Sequence, residues 1–484
     1  MNNIKGKNII IWLFIIITIL FFSYEVVISY DSSHYLWLTS LLEPEGDFSN
    51  WDIARGPVFP LIIRTFNIFF GKSPNGVLAG MFIFYLLMLF ICYLIYKDTI
   101  RSEEHFNKYI KYIFLAVFLV LVVFNPMIIG YYHTLLTEFV AITLGVIGCY
   151  LSWKWMQIEF LKNKVKYIIY TAILSVLTAA AWLLKQPYIS TILFPVIIAT
   201  IISIIRKANL KNILQRVTTL ICCLVVLAVS LKFWGIVQEL NGIQKNESRT
   251  SSSFLASGIV SGIIGYDARE GTITTGEAIK FWMDEFGKNP AKVIGQYIKN
   301  YFATISILNI EFDNMKIIIN PKIDIAHTVE IENIGFKIYE YGNECIFPLS
   351  EKYEQYAQPY RRVNTPIVAI NWIMRKLEIP VTIVMKLSYL VLPILTIISI
   401  IFVFKSKKKY NEKYNKIIDI IAILFTYSFL NIIAYSFLGS TIDRYTMPSL
   451  VTTFVGILLS IYVAIYRRKY KRDEIKMLEQ KGDK

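Results

Sequence analysis

The chain has 484 residues, of which 55% are hydrophobic, and carries a formal net charge of +15. With a mean hydropathy of +0.51, it falls in the class of polytopic membrane proteins rather than soluble domains. The positive charge does not point to nucleic acid. Its basic residues gather in short loops between apolar runs, the pattern of cytoplasmic loops, and no basic groove with interleaved aromatics stands apart from them.

Lys5 and Lys7 precede a first apolar run over residues 9–22 that extends to about 29. It resembles a signal peptide, but it is too long and no small-residue cleavage pattern follows, so it reads as a retained first span. The loop over residues 30–76 then opens with Asp31 and Tyr35, followed by Arg55-Gly56-Pro57 and Pro60, which lead into an amphipathic run over 61–70. A second span is expected over 77–96 and a third over 112–129, the latter emerging at Tyr131-Tyr132-His133. The fourth starts near Leu135 and runs towards Lys154; the fifth, over 167–184, ends at Lys185-Gln186-Pro187-Tyr188. The sixth returns to Arg206, and the seventh covers 217–237.

Residues 238–380 read as one long, mixed, mostly polar segment on the outer side. Within it, 277–303 has helical apolar spacing broken at Asn289-Pro290, which predicts two packed helices; 361–377, with Arg362 and Arg375, reads as an interfacial helix. An eighth span follows to Lys405, a ninth covers 417–438, and a tenth covers 445–465 before a basic tail. About ten spans alternate without a charge conflict. The expected organisation is an N-terminal transmembrane module (1–237), an outer domain (238–380) and C-terminal transmembrane helices with a cytoplasmic tail (381–484).

Five cysteines and four histidines show no disulfide framework and no metal-type spacing. No glycine-rich phosphate loop follows a strand pattern. What stands out is that Asp31, Arg55, Glu138, Lys185, Asp443 and Arg444 come from five separated stretches yet all map to the outer interface. Cations at outer span ends run against the positive-inside bias, and an anion at headgroup level suits them. Each residue also has a plainer reading. Asp31, with Glu25 near it but deeper, can be a solvated turn residue rather than a general base, and Arg55 a snorkelling arginine beside a helix start. Glu138 can be a helix-start carboxylate, or bind a divalent cation together with Asp31, although two carboxylates are a weak metal signal. Asp443 and Arg444 can form a local ion pair.

In this order, Asp31-x-x-x-Tyr35, Arg55-x-Pro57-x-x-Pro60, Leu136-Thr137-Glu138, Lys185-x-Pro187 and Asp443-Arg444-Tyr445-x-x-Pro448 resemble the GT-C glycosyltransferases. The closest branch is that of protein O-mannosyltransferases and bacterial aminoarabinose transferases, and the resemblance covers about 8–188 and 441–448. The resemblance implies a GT-C-like fold, an α-helical polytopic membrane protein with a mixed outer-side domain. It implies a bacterial cytoplasmic (inner) membrane enzyme with an extracytoplasmic active site. The donor would be a polyprenyl-phosphate sugar, its isoprenoid tail lying in membrane lipid, and the acceptor a hydroxyl of a protein, lipid or glycan. Asp31 would be the catalytic base and Glu138 its supporting acid, with Arg55, Lys185 and Arg444 around the carrier phosphate. Tyr35, Tyr132, His133, Asp443 and Tyr445 would support them. Two positions depart from the family pattern: Gly56 stands where proline is more usual, and lysine rather than arginine stands at 185, which removes bidentate phosphate contact. An oligosaccharide polymerase or ligase, or a polyprenyl-lipid transporter, is the alternative.

Overall fold

A computed structural model describes residues 2–24, 26, 30–53, 55–101, 108–160, 162–206, 210–243, 251–264, 273–306, five strands between 310 and 348, 366–406, 412–438 and 443–465. The chain is an α-helical polytopic membrane protein. Helix α1 (Asn2–Phe21) leads to the short α2 (Tyr30–Leu41) and to α3 (Val58–Phe70). Helix α4 (Pro74–Tyr96) starts where Ser73 accepts a hydrogen bond from the Gly76 amide and Pro74 fills the first turn, whose amide has no helical partner to lose. Helices α5 (Lys108–Phe118) and α6 (Pro126–His133) are joined by a π-helical turn, and Asn125 caps α6 in the same way. The spans α7 (Glu138–Met156), α8 (Lys164–Leu184), α9 (Ser190–Ile205) and α10 (Leu210–Leu240) follow. Beyond them come α11 (Ser251–Ile264), α12 (Thr275–Lys288), α13 (Pro290–Ser306), α14 (Pro366–Ser406), α15 (Glu412–Phe437) and α16 (Thr446–Ile465).

Among the described residues nine helical segments are long and apolar enough to cross a membrane, from Asn75–Ile100 to Thr446–Ile465. The expected first span is helical, and its described apolar part, Ile11–Phe21, is shorter than the other nine. Span α7 is the most enclosed, 83% buried over its apolar window, and α10 the least, at 11%. Small residues permit the enclosure. A Cβ added at Gly148 of α7 would lie 2.1 Å from the Thr191 carbonyl oxygen of α9, so the two backbones touch. Buried polar side chains tie α15 to α9, through Ser190 and Asn431 at 2.7 Å, and to α16, through Ser428 and Thr452 at 2.7 Å.

At one end of the bundle Arg206, at the end of α9, donates to Asp419 of α15 at 2.6 Å and to Ser406 of α14 at 2.8 Å. Nearby, Lys154 pairs with Asp98 at 2.8 Å. The opposite end carries α2, α3 and the first residue of α7. Helix α3 turns Phe59, Ile63 and Phe66 inward and leaves Leu61, Ile68, Phe69 and Phe70 exposed, as an interfacial helix requires.

The helical pair expected over 277–303 is present as α12 and α13, broken at Asn289-Pro290, with a Thr274–Glu277 capping box opening the first. It is anchored to the spans: Asn300 donates to Ser436 at 3.1 Å, Tyr301 donates to Tyr389 at 2.8 Å, and Tyr297 stacks on Phe437. Strands β1 (Ile310–Asp313) and β2 (Lys316–Ile319) form an antiparallel hairpin. Strands β3 (His327–Glu332), β4 (Gly335–Glu340) and β5 (Asn343–Pro348) form a three-stranded antiparallel meander. One expectation needs correction. The interfacial helix over 361–377 and the eighth span are not separate, because α14 runs unbroken for 41 residues through Pro380 and Pro393. The domain boundary placed at 380/381 therefore falls inside a helix; long spans accommodate proline where neighbouring helices satisfy the freed carbonyls.

Candidate functional site

Asp31 lies in the first turn of α2, and Tyr35 and Thr39 follow it at helical spacing on one face. Neither the solvated-turn reading of Asp31 nor the snorkelling reading of Arg55 survives the geometry. The Asp31 side chain is 9% exposed and accepts from Arg55 Nη2 at 3.1 Å; the arginine is itself only 24% exposed. Arg55 Nη1 donates to the Tyr35 hydroxyl at 3.2 Å, and the guanidinium carbon stands 5.3 Å from the tyrosine ring centre. The stretch carrying Arg55 is held from behind, where the Trp51 indole donates to the Arg55 carbonyl at 2.9 Å and packs on Trp234 of α10. Upstream, Asp47 accepts from the Ser49 hydroxyl and amide and from Asn50, which closes the turn Phe48–Asn50. Those bonds, led by the one from the Ser49 side chain, hold the Asp47 carboxyl below its ordinary range.

Glu138 opens α7 with a side chain that is 0% exposed, and Lys185 at the end of α8 brings its Nζ to 3.9 Å from Oε1. The Thr137 hydroxyl makes no cap to α7; it reaches Glu138 and the Tyr188 hydroxyl, both at 3.4 Å. Glu138 is therefore more than a helix-start carboxylate. Tyr35 links the two pairs. Burial pushes its phenol up, Arg55 and then Lys185 pull it down, and Asp31 and Glu138 push it up again. The stretches that carry the two pairs also touch, since a Cβ on Gly56 would stand 1.8 Å from the Leu183 carbonyl oxygen and Ser32 donates to the Leu135 carbonyl at 2.7 Å, so four residues from four elements form a single cluster. Its formal charge is zero, two cations against two carboxylates. Such a cluster can exchange one of its own carboxylates for an incoming anion without leaving a cation bare.

The remaining predicted residues lie differently. Tyr132 hydrogen-bonds Thr143 at 2.7 Å and packs on Tyr85 and Phe139. Both ring nitrogens of His133 face carbonyl oxygens, of Ile129 and Phe21, each at 2.7 Å. These two residues join α6 to its neighbours. The turn Asp443–Ser449 packs on α7, with the Pro448 carbonyl oxygen 2.9 Å from where a Gly145 Cβ would be. The side chains of Asp443, Arg444 and Tyr445 lie outside the described residues, as do Glu25 and the Arg361–Arg362 pair.

Sequence reasoning missed His34, one turn beyond Asp31, whose Nε2 is 3.4 Å from Asp52. It also missed Ser32, which donates to the Leu135 carbonyl at 2.7 Å and so ties α2 to the start of α7. Spacing from Asp31 on a helical face was the available signal for His34; Ser32, the next residue in the chain, lies on another face and had none. Among the described residues no three His, Cys, Asp or Glu side chains come together. Both carboxylates of the cluster face cations, so this donor set does not fit a divalent ion. Compared with family models, with curated proteins and with solved structures, the chain gives no match.

Proposed function

We propose that the chain is a membrane glycosyltransferase of the GT-C type, moving a sugar from a polyprenyl-phosphate carrier to an acceptor hydroxyl on the extracytoplasmic side of a bacterial cytoplasmic membrane. The observation that carries this reading is that two ion pairs, Arg55–Asp31 and Lys185–Glu138, lie on stretches that touch at one end of the spans. In the proposed reaction the carrier phosphate takes Arg55 and Lys185, and Asp31, released from the guanidinium, faces the acceptor hydroxyl. The bond between the sugar's anomeric carbon and the phosphate oxygen breaks as the bond to the acceptor oxygen forms. The acceptor proton passes to Asp31, and the two cations stabilise the charge left on the departing phosphate. Glu138 holds Lys185 in place. The exposed apolar face of α3 beside the cluster offers lipid contact for the isoprenoid tail.

A transporter reading gains less support. Among the described residues the close ion pairs of the spans sit at their ends, Arg206–Asp419 and Lys154–Asp98 at one and the cluster at the other, with no relay of charges between. The test is transfer of radiolabelled sugar from polyprenyl phosphates by membranes containing wild type or Asp31→Asn. The expected result is a loss of about a hundredfold or more with carrier binding retained. Equal transfer by both would remove Asp31 as the base.

A further inference from the structure

The stretches that carry Arg55 and Lys185 meet across the fold through a contact neither residue makes. The residue after Arg55 is Gly56, and a Cβ built on it would stand 1.8 Å from the carbonyl oxygen of Leu183, 2.6 Å from its carbonyl carbon and 3.0 Å from its Cα. All three are backbone atoms, which cannot swing aside as a side chain can. Gly56 therefore lies flush against the end of α8, two residues before Lys185. Its φ is not in the left-handed region, so glycine is required here for space and not for backbone freedom. The Trp51 indole holds the Arg55 carbonyl at 2.9 Å, and the stretch 55–56 is gripped between that tryptophan and α8. The same contact accounts for the departure from the family pattern, because a proline at 56 would place its ring carbon into the Leu183 carbonyl.

We propose that Gly56 is a positioning residue that sets the separation of Arg55 and Lys185 so that one phosphate group reaches both. This rests on the donor-binding reading above. An alanine at 56 must withdraw to the 3.4 Å of ordinary contact, which parts the loop from α8 by about 1.6 Å. Misplacement on the scale of 1 Å costs a built site orders of magnitude in function. The loss would appear as weaker grip on an anion shared by the two cations and would vanish once one of the cations is gone. That non-additivity separates positioning from general loosening.

The experiment measures binding of a short isoprenyl monophosphate to the full-length protein in detergent. It compares wild type, Gly56→Ala, Lys185→Ala and the double variant. Gly56→Ala is expected to weaken binding about tenfold or more, and to add less than about twofold in the Lys185→Ala background. Gly148→Ala is the control for overpacking elsewhere, since its Cβ would meet the Thr191 carbonyl oxygen at 2.1 Å, away from the cations. It should lower thermal stability while its effect on binding, if any, multiplies with that of Lys185→Ala. Should Gly56→Ala fail to fold, Trp51→Phe loosens the same stretch from its other side. It is expected to weaken binding about threefold in wild type and not in Lys185→Ala. Wild type that binds while the Gly56 and Lys185 effects multiply, or while Gly56→Ala binds normally, overturns the inference and leaves the donor reading standing. Wild type that does not bind the isoprenyl monophosphate overturns both.

Discussion

Replacing Arg55 with alanine tests whether the cluster is a bound unit or a set of neighbours. The substitution removes the 3.1 Å bond to Asp31 and the 3.2 Å bond to Tyr35, and leaves a carboxylate that is 9% exposed beside a buried phenol. Breaking a fully buried pair by removing one partner costs about 3–5 kcal/mol. The 24% exposure of Arg55 lets water reach the vacated space, which brings the expected cost down to about 2–3 kcal/mol. Asp31→Asn keeps an oxygen for the guanidinium and loses only the charge, about 1–1.5 kcal/mol. The double variant has no orphaned carboxylate, so it should cost less than the two singles together by about 1–2 kcal/mol. Unfolding in mixed micelles of increasing dodecyl sulfate fraction, followed by tryptophan fluorescence, gives all three values. Single costs that add within about 0.3 kcal/mol, or an Arg55→Ala cost below about 0.5 kcal/mol, would refute the reasoning.

The same unfolding assay checks helix contact at Gly148, where alanine is expected to cost about 1–3 kcal/mol by overpacking. Gly235→Ala on α10, with nothing within 4 Å of its Cβ, should be neutral or stabilising by up to about 1 kcal/mol. Arg206→Ala strips the buried Asp419 carboxylate of its bonds at 2.6 and 3.0 Å. It should cost about 3–5 kcal/mol, largely rescued by adding Asp419→Leu. Glu277 is held below its ordinary range first by the Thr274 amide and then by the Thr274 hydroxyl. Its support of α12 is therefore present above the ordinary carboxylate value and fades as pH falls through the lowered one. Hydrogen-exchange protection factors in the first turn of α12, taken relative to the intrinsic rate at each pH, should fall on acidification in wild type and stay flat in Glu277→Gln. The Tyr35 phenol, raised chiefly by burial, stays protonated at neutral pH. Tyr35→Phe should thus leave the neutral-range pH profile of carrier binding unchanged while weakening binding about two- to fivefold, since one bond to Arg55 is gone.

The spans were legible because each is a long apolar run with basic residues at alternate ends, a signal summed over about twenty positions. The break of α12 from α13 was legible from Asn289-Pro290. Helix α11 was not. Its sequence SSSFLASGIVSGII is rich in serine and glycine, and it is secured by packing of Ala256, Ile259 and Val260 near Phe437 and Leu438, a tertiary cause that local propensity does not carry. The boundary expected at 380/381 lies inside α14, which continues through Pro380. At the site, the polar residues at span ends could be picked out one by one, but their pairing could not. That Arg55 bonds Asp31, and that Glu138 faces Lys185, depends on Gly56 lying on Leu183 and Ser32 lying on Leu135. These are one backbone approach and one side-chain-to-backbone hydrogen bond between elements more than a hundred residues apart, and no periodicity records them. Tyr132 shows the converse case, a polar aromatic beside the right motif whose hydroxyl serves Thr143.

The most direct test of the account is photolabelling of the purified protein with a polyprenyl monophosphate bearing a diazirine next to the phosphate. The account predicts adducts on the two stretches around Arg55 and Lys185, abolished by excess unlabelled carrier and reduced at least tenfold in both Arg55→Ala and Lys185→Ala. Labelling confined to other lipid-facing spans, or unchanged in those variants, would contradict it.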